Sequence, residues 1–304
     1  MQIATKPADS AAEKRRKAAT PTNAPTTANV ADVADAGVDV APDAPTPGSA
    51  VGTIVATPDV DAVEDARPTT PSPWRRYADY GELALGAGAF AGILLTLWAA
   101  FVYAPTELVE GEVQRIFYIH VPMAWLAYLA FFLVAVASAL YLWRRDERWD
   151  WFARANAEIG AIFTTLVLIT GSIWGKSFWG AWWVWDARLT TTLILWFVYV
   201  GYLVLRSYTG RTAQGARVAA VVGILGFVDV PINYFAVTWW RTLHPSAVLP
   251  LGSEPQLPAS MLIALMIALA AFTLLFGFLL LQVYRLERTQ SLVEHLRAEI
   301  EEED

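Results

Sequence analysis

Histidine is scarce in this sequence, and the positions of its three copies are therefore informative. Among 304 residues, it occurs only at His120, His244 and His295. His120 lies in the segment FYIHVP, and His244 lies in the segment WWRTLHP. Imidazole is a common iron ligand, and two imidazoles can occupy both axial positions of a haem. His295 lies in a charged C-terminal segment, and we interpret it as a solvated helix residue.

A tryptophan-rich segment lies between His120 and His244. Residues 174–190 read WGKSFWGAWWVWDARLT. Five Trp fall within twelve residues, at Trp174, Trp179, Trp182, Trp183 and Trp185. If 179–186 is helical, three of these Trp share one face with Asp186. One interpretation is an aromatic belt at the membrane surface, but the density of Trp favours a flat surface for a large planar ligand.

Polar and small residues near the Trp side chains indicate how such a ligand would be held. Gly175 and Gly180 would let the backbone lie close to it. Four basic residues neighbour the Trp-rich segment or one of the two His, namely Arg115, Lys176, Arg188 and Arg241. An Arg guanidinium pairs well with a carboxylate such as a haem propionate. Asp186 could pair with Arg188, orient a His N–H, or cap the following helix.

The elements that must position these residues are six long apolar stretches. They lie near residues 82–103, 117–143, 155–173, 188–206, 217–238 and 259–284, and each suits a bilayer core. The chain is 56% apolar and only 17% charged, against roughly 25% charged residues in soluble domains. The sequence therefore predicts an all-α integral membrane protein with six transmembrane helices, with a membrane domain at 74–288 and an acidic C-terminal tail at 289–304.

The distribution of basic residues predicts the orientation of these helices. Eleven basic residues flank the spans on the side of both termini, and four lie on the other side. By the positive-inside rule, both termini are cytoplasmic, and the connections 104–116, 174–187 and 239–258 face outward from a cell membrane. His120 and His244 then lie with the Trp-rich segment on the extracytoplasmic side.

Composition excludes several classes of function. The chain has no Cys, which excludes disulfides, Cys-ligated zinc, iron–sulfur clusters and thioether-attached haem. A net charge of −7 argues against nucleic-acid binding. The apolar stretches are expected to contact membrane lipid. Residues 1–73 have no aromatic side chain and hold 10 of the 17 Pro, so they are predicted to be a disordered tail.

The fifth apolar stretch contains polar residues at membrane depth. Pro231 predicts a kink, and Asn233 is expected to satisfy the backbone carbonyl that Pro231 frees. Polar groups at this depth usually face the bundle interior, so we interpret these two residues and Asp229 as structural.

Three segments together resemble a known family. The stretch WGKSFWGAWWVWDARLT resembles the "WWD" signature of haem-handling membrane proteins. With RIFYIHVP at 115–122 and WWRTLH at 239–244, the chain is similar over about residues 75–285 to the haem exporter protein C (CcmC) family of cytochrome c maturation. The related CcmF and CcsA proteins have more spans, so the six spans of this chain fit the CcmC family better.

The resemblance implies a protein that binds and transfers haem rather than an enzyme. It implies haem b, held non-covalently, with His120 and His244 as axial ligands of the iron. The haem platform would comprise Trp174, Trp179, Trp182, Trp183, Trp185 and Asp186, with Arg115, Arg188 and Arg241 beside it. The resemblance also implies transfer of haem to a CcmE-type haem chaperone, with a CcmA/CcmB-type ABC transporter as a partner.

Two other functions fit part of this pattern. A membrane cytochrome for electron transfer also uses two axial His, although such His usually lie within spans rather than at one surface. A secondary transporter could use the Trp-rich segment as a lid, but Asp229 is the one charged side chain placed near the midplane. Two axial His leave iron no open position for oxygen, so we expect binding and transfer rather than oxidation.

Overall fold

A computed structural model of the chain describes residues 73–245 and 257–303. Within these ranges there are seven α-helices, namely α1 (Pro73–Trp98), α2 (Phe117–Arg144), α3 (Glu147–Trp179), α4 (Ala187–Thr209), α5 (Ala213–Phe227), α6 (Asp229–Trp239) and α7 (Ala259–Glu303). A π-helical turn at Ala99–Tyr103 extends α1, and a 3-10 turn at Glu112–Ile116 leads into α2. The predicted disordered tail lies outside the described residues, apart from Pro73 at the start of α1.

Six helical segments are long and apolar enough to cross a membrane, which confirms the predicted all-α, six-span fold. Helices α5 and α6 together form the fifth span, and each of the other five helices contributes one span. Helix α7 continues to Glu303. The acidic segment that we predicted as a tail is therefore helical through that residue.

Local sequence explains where the helices begin and end. The side chains of Asp146, Asp186 and Thr212 cap the N-termini of α3, α4 and α5, because each accepts a hydrogen bond from a first-turn backbone N–H. Gly180 and Gly210 follow α3 and α4 with φ values of 75° and 58°. Such left-handed residues end helices, and glycine adopts this conformation without a steric cost.

Helix α2 lies at the centre of the bundle and packs against α3, α5 and α7. The ring of Phe131 on α2 stacks on Tyr199 of α4, with 3.7 Å between the centroids. Small residues let membrane helices approach closely, and Gly160 does so between α3 and α2. A Cβ atom at Gly160 would lie 2.5 Å from Cε1 of Phe131, so this contact leaves no room for a side chain.

Helix α1 packs chiefly on α7, and the Arg115 side chain anchors its far end. The Arg115 guanidinium donates to the carbonyl oxygens of Ala100 and Ala104, and it forms an ion pair of 2.5 Å with Glu112. Carbonyls at a helix end lack partners in the helix itself, so Arg115 satisfies groups that would otherwise be unpaired.

The end of the bundle away from His120 and His244 is held by buried ion pairs, which link α3, α4 and α7. Arg206 lies 2.6 Å from Asp150, and both residues are buried. Glu287 lies 3.2 Å from Arg154 and 2.9 Å from Arg211. Breaking a buried pair leaves an uncompensated charge and typically costs about 3–5 kcal/mol. These contacts therefore fix the extension of α7 against α3 and the α4–α5 connection.

The fifth span is interrupted at Val228, three residues before Pro231. The prediction for Asn233 was wrong, because this side chain points to α4 rather than to a carbonyl of its own span. The Asn233 amide nitrogen donates to the Arg188 carbonyl at 3.0 Å, to Thr191 Oγ1 at 2.7 Å and to Thr192 Oγ1 at 2.8 Å. The Tyr128 hydroxyl donates to Asn233 Oδ1, so Asn233 joins α2, α4 and α6.

We expect Gly160→Ala to lower the free energy of unfolding by about 1–3 kcal/mol, because the added methyl group overpacks the contact with Phe131. The matched control is Gly201→Ala in α4, where an added Cβ would meet no atom within 4 Å. Thermal unfolding in detergent should show a lower midpoint for the first variant and an unchanged or higher one for the control. Equal midpoints would contradict the close α2–α3 contact.

Candidate functional site

The principal cavity of the described part of the chain contains both His120 and His244. It lies where α2 and α4 begin and α3 ends, and we call this end of the bundle the histidine end. The cavity is open at one side, and apolar atoms form most of its wall. It reaches Thr164, which lies 15 residues before the end of α3, about 22 Å along the helix axis.

His120 is buried in the first turn of α2, against α3. Its Nδ1 atom lies 2.9 Å from the Thr170 hydroxyl oxygen, and that hydroxyl donates its single proton to the Leu166 carbonyl at 2.7 Å. With that proton on the Leu166 carbonyl, the Thr170 oxygen accepts from Nδ1–H, and the lone pair of a neutral ring is on Nε2. A Cβ atom at Gly171 would lie 3.1 Å from Cε1 of this ring, so glycine makes room for the imidazole.

His244 follows α6 and is oriented by its own backbone. Its Nδ1 atom lies 2.9 Å from the Pro245 carbonyl oxygen, which can only accept a hydrogen bond. The lone pair of this ring is therefore also on Nε2. Burial lowers the pKa of His244 to about 4, and the positive charge of Arg188 contributes in the same direction. The Pro245 hydrogen bond and the Asp186 carboxylate act in the opposite direction.

The Trp-rich segment is not helical beyond Trp179, so the condition for a shared face over 179–186 is not met. Gly180 ends α3 in a left-handed conformation, and Asp186 begins α4 as its cap, which leaves a short non-helical segment between them. Trp183 faces the cavity, whereas Trp182 and Trp185 are 60% and 76% exposed and do not line it. The predicted shared face therefore does not form.

Trp174, Trp179 and Trp183 are the platform residues that line the cavity. The Trp174 ring stands edge-on to His120, with 5.7 Å between the ring centroids. Its indole N–H donates to Glu110 Oε2 at 2.7 Å. The indole nitrogen of Trp183 is buried and has no hydrogen-bond partner among residues 73–245 and 257–303. An unpaired buried donor at a cavity wall is suited to an acceptor on a ligand.

The two glycines of this segment serve the protein backbone and the Trp rings. A Cβ atom at Gly175 would lie 3.0 Å from the Trp179 ring, so Gly175 gives space to this indole. Gly180 provides the left-handed residue that ends α3, and the Lys176 ammonium donates to its carbonyl at 2.9 Å. The expectation that Gly180 lies against a ligand is not met, because Gly180 does not line the cavity.

Asp186 connects the start of α4 to the segment that contains His244. One carboxylate oxygen accepts from the Leu189 backbone N–H at 2.8 Å and so caps α4. The other accepts from the Thr242 hydroxyl at 2.6 Å, and the Thr242 oxygen accepts from the His244 backbone N–H at 3.0 Å. Of the three roles considered for Asp186, the structure has the helix cap, and it adds this link to His244.

Of the predicted cations, Arg188 lines the cavity. Its guanidinium has two long contacts, at 3.4 Å to the Tyr128 hydroxyl and at 3.5 Å to the Tyr234 carbonyl. Such long contacts are weak, so its charge is available to a carboxylate. Arg115 and Arg241 do not line the cavity, because Arg115 anchors the end of α1 and Arg241 is exposed to solvent.

Sequence reasoning missed the residues that orient His120. Thr170 precedes Trp174 by four residues and therefore lies on the same face of α3, one turn deeper. This spacing was the available signal for Thr170 and its neighbour Gly171. Nothing in the sequence indicated that Glu110, in the connection after α1, reaches the Trp174 indole.

These features define a class of protein. The bundle has six membrane-length spans and a largely apolar cavity, which is lined by two imidazoles, four indoles and one guanidinium. The chain is therefore a multi-pass membrane protein with a large, mostly apolar cavity whose wall carries imidazole and guanidinium groups. The family model "Heme exporter protein C" (CcmC) matches residues 69–299, and the chain belongs to this family.

Individual relatives agree with this assignment and confirm the predicted resemblance. Heme exporter protein C from Bradyrhizobium diazoefficiens is 42% identical over 195 residues, which cover 64% of this chain and 74% of the relative. Its namesake from Haemophilus influenzae is 40% identical over 185 residues, or 61% of this chain and 75% of the relative. A ccmC-like mitochondrial protein of Marchantia polymorpha, named for cytochrome c biosynthesis, is 38% identical over 202 residues, or 65% and 83%.

We expect His244 in the haem-free chain to gain a proton only near pH 4, because burial and Arg188 disfavour its charged form. The ordinary pKa of about 6.5 applies to the unfolded chain, which therefore binds more protons between pH 6.5 and pH 4. The contribution of His244 to stability is thus complete above pH 6.5 and falls as the pH is lowered through this window.

NMR of 13C-labelled histidine in the detergent-solubilised chain measures this midpoint, and Asp186→Asn should lower it further. A midpoint near 6.5 for His244 would contradict its position in the cavity.

Proposed function

We propose that this protein holds haem as cargo between His120 and His244 and passes it to a haem chaperone during cytochrome c maturation. Membership in the haem exporter protein C family supports the broader role of haem handling. The observation that carries the finer proposal is the pair of imidazoles, one buried and one half-buried, that line one cavity with Nδ1 of each ring engaged. A ligating His is typically oriented in this way through its other ring nitrogen.

The cavity walls suit the macrocycle of haem b. Aromatic and aliphatic side chains form most of the lining, and four indoles line the cavity with the imidazoles. Burial of a few hundred Å² of porphyrin at about 25 cal/mol/Å² would stabilise the complex by several kcal/mol. The propionates would then interact with Arg188 and with the unpaired indole N–H of Trp183. Binding is non-covalent, since the chain has no Cys to form a thioether.

Transfer of haem requires that the site be accessible and that iron be exchangeable. His244 lies in a connecting segment after α6 rather than within a helix, and it is held through Thr242 and Asp186. A chaperone residue that competes for iron would replace His244 more readily than His120, which is buried in a helix. We infer a CcmE-type chaperone as the acceptor and a CcmA/CcmB-type ABC transporter as the partner that drives its release.

The location of the site follows from the distribution of basic residues. The arginines that flank the spans concentrate at the end of the bundle opposite the histidine end. By the positive-inside rule, the histidine end faces the extracytoplasmic side of the cell membrane. Haem is therefore held where cytochrome c maturation would receive it.

A membrane cytochrome would use the same ligand pair, and haem exchange distinguishes the two functions. Both His lie at one end of the bundle, next to the connections 180–186 and 240–245, which favours loading and unloading. A haem that undergoes reversible reduction but never passes to a chaperone would favour electron transfer instead.

The first test is the absorption spectrum of the purified chain and of three His variants. We expect the parent to bind haem in a low-spin, six-coordinate state, and His120→Ala and His244→Ala to lose haem or become high-spin. The matched control is His295→Ala, since His295 is 63% exposed on α7, away from the cavity. Spectra of the His120 and His244 variants that match the parent would contradict the ligand assignment.

The second test concerns the propionates. Trp183→Phe keeps an aromatic ring at the cavity wall but removes its N–H donor, and we expect about tenfold weaker haem binding. A hydrogen bond to a charged group contributes roughly 1.5 kcal/mol or more, which corresponds to that factor. Trp185→Phe, at an exposed position outside the cavity, is the control and should bind haem as the parent does. Equal affinities for all three proteins would contradict the role of Trp183.

A further inference from the structure

A second cavity lies at the end of the bundle opposite the histidine end. It is bounded by the end of α2, the start of α3, the start of α5 and the extension of α7, and it has about 850 Å³ of space counted to its open mouth. Its wall includes Arg145, Arg211, Arg217, Trp151 and Ser291. We call it the arginine pocket. Haem handling at the histidine end makes no use of it.

Two of the three guanidinium groups in the arginine pocket lack a carboxylate partner among the described residues. Arg211 is engaged by Glu287 at 2.9 Å and by Glu294 at 3.2 Å. In contrast, Arg145 has no ion pair within the described ranges, and the Arg217 guanidinium donates only to the Ala213 carbonyl at 3.1 Å. Two positive charges therefore face one cavity without an ion pair among the described residues.

Of the two acidic residues on the same wall, Asp150 is already paired with an arginine. Asp150 lies 2.6 Å from Arg206, which is buried behind it, and this pair neutralises both charges. Glu147 lies 3.6 Å from His295 of α7, which is a charge partner only when it is protonated, so Glu147 offsets one of the two guanidinium charges that lack an ion pair. The net charge that remains at the wall of the pocket is positive, and it can be balanced by an anion from outside the chain.

The start of α5 adds a third contribution of the same sign. Thr212 caps this 15-residue helix and lines the pocket together with Ala213. Backbone N–H groups in the first turn of a helix lack acceptors, and the helix dipole places partial positive charge there. Guanidinium groups beside a helix N-terminus form the usual surroundings of a phosphate.

Aromatic side chains place the arginine pocket at the level of lipid headgroups. Trp151 forms part of its wall, and Trp143 and Tyr208, at the same end of the bundle, are largely exposed. Trp and Tyr concentrate at the interface between lipid and water. Basic pockets between transmembrane helices on the cytoplasmic side are known to bind the headgroups of anionic lipids.

We propose that the arginine pocket binds a phosphate group, supplied by the headgroup of an anionic phospholipid in the cytoplasmic leaflet. Arg145 and Arg217 contact the phosphate oxygens, the first turn of α5 donates to them, and Trp151 lies against the glycerol region. A bound lipid would join α2, α3 and α5 to the α7 extension at the end where the buried ion pairs also meet.

Arg145 offers a substitution that should not disturb the fold. It is the one residue other than glycine with a positive φ, 58°, among the described residues. Glycine favours this conformation, so Arg145→Gly removes the charge while keeping the backbone relaxed. Arg217→Gln removes the second charge. Arg148→Gln is the matched control, because Arg148 is 76% exposed at the same end of the bundle but does not line the pocket.

The experiment uses the full chain in a neutral detergent and native mass spectrometry. Phosphatidylglycerol and phosphatidylcholine with identical acyl chains are titrated separately, and inorganic phosphate is added as a competitor. We expect the parent to prefer phosphatidylglycerol, and Arg145→Gly and Arg217→Gln each to weaken that binding about fivefold. Arg148→Gln should bind as the parent does, and the thermal midpoint of Arg145→Gly should not fall in the absence of lipid.

Each other outcome would overturn a stated part of this proposal. Equal weakening by Arg148→Gln and Arg145→Gly would show a diffuse surface charge rather than a pocket. Binding of inorganic phosphate that displaces the lipid at equal concentration would show a site for free phosphate and overturn the lipid assignment. Equal affinity for the two lipids would overturn the assignment to an anionic phospholipid, because both lipids carry a phosphate and only phosphatidylglycerol has a net negative charge.

Discussion

The hydrogen bonds that fix the two imidazole rings are the constraint on which the candidate site depends. Thr170 has one hydroxyl proton, and its use by the Leu166 carbonyl makes the hydroxyl oxygen an acceptor for His120 Nδ1–H. The Pro245 carbonyl likewise accepts a hydrogen bond from Nδ1–H of His244. Both neutral rings therefore present Nε2, the nitrogen that an iron at the centre of a porphyrin would need.

The rest of the architecture serves to place these rings at one end of the membrane bundle. The ends of α2, α3, α4 and α6 meet there, and α2 and α3 approach closely enough for Gly171 to contact the His120 ring. Asp186 connects two of the ends, because it caps α4 with one oxygen and holds the Thr242 hydroxyl with the other. The Asn233 amide similarly fixes α6 against α4. The cavity thus begins where these helix ends meet and reaches into the interior of the bundle as far as Thr164.

Sequence alone was sufficient for the features that depend on long-range averages. Six apolar stretches predicted six spans because bilayer thickness sets a minimum helix length, and the scarcity of His made His120 and His244 conspicuous. Features that depend on a few local hydrogen bonds and backbone conformations were missed. The helix considered over 179–186 does not form, because Gly180 ends α3 and Asp186 caps α4. The role of Arg115 depends on backbone carbonyls that a π-helical turn leaves free. No pattern in the sequence predicted that turn.

A structure of the haem-loaded chain by electron cryomicroscopy would test the central claim most directly. The account predicts one iron between the Nε2 atoms of His120 and His244, with Trp183 and Arg188 on the propionate side of the macrocycle. An iron bound by only one of these rings, or by Nδ1 of either, would contradict it.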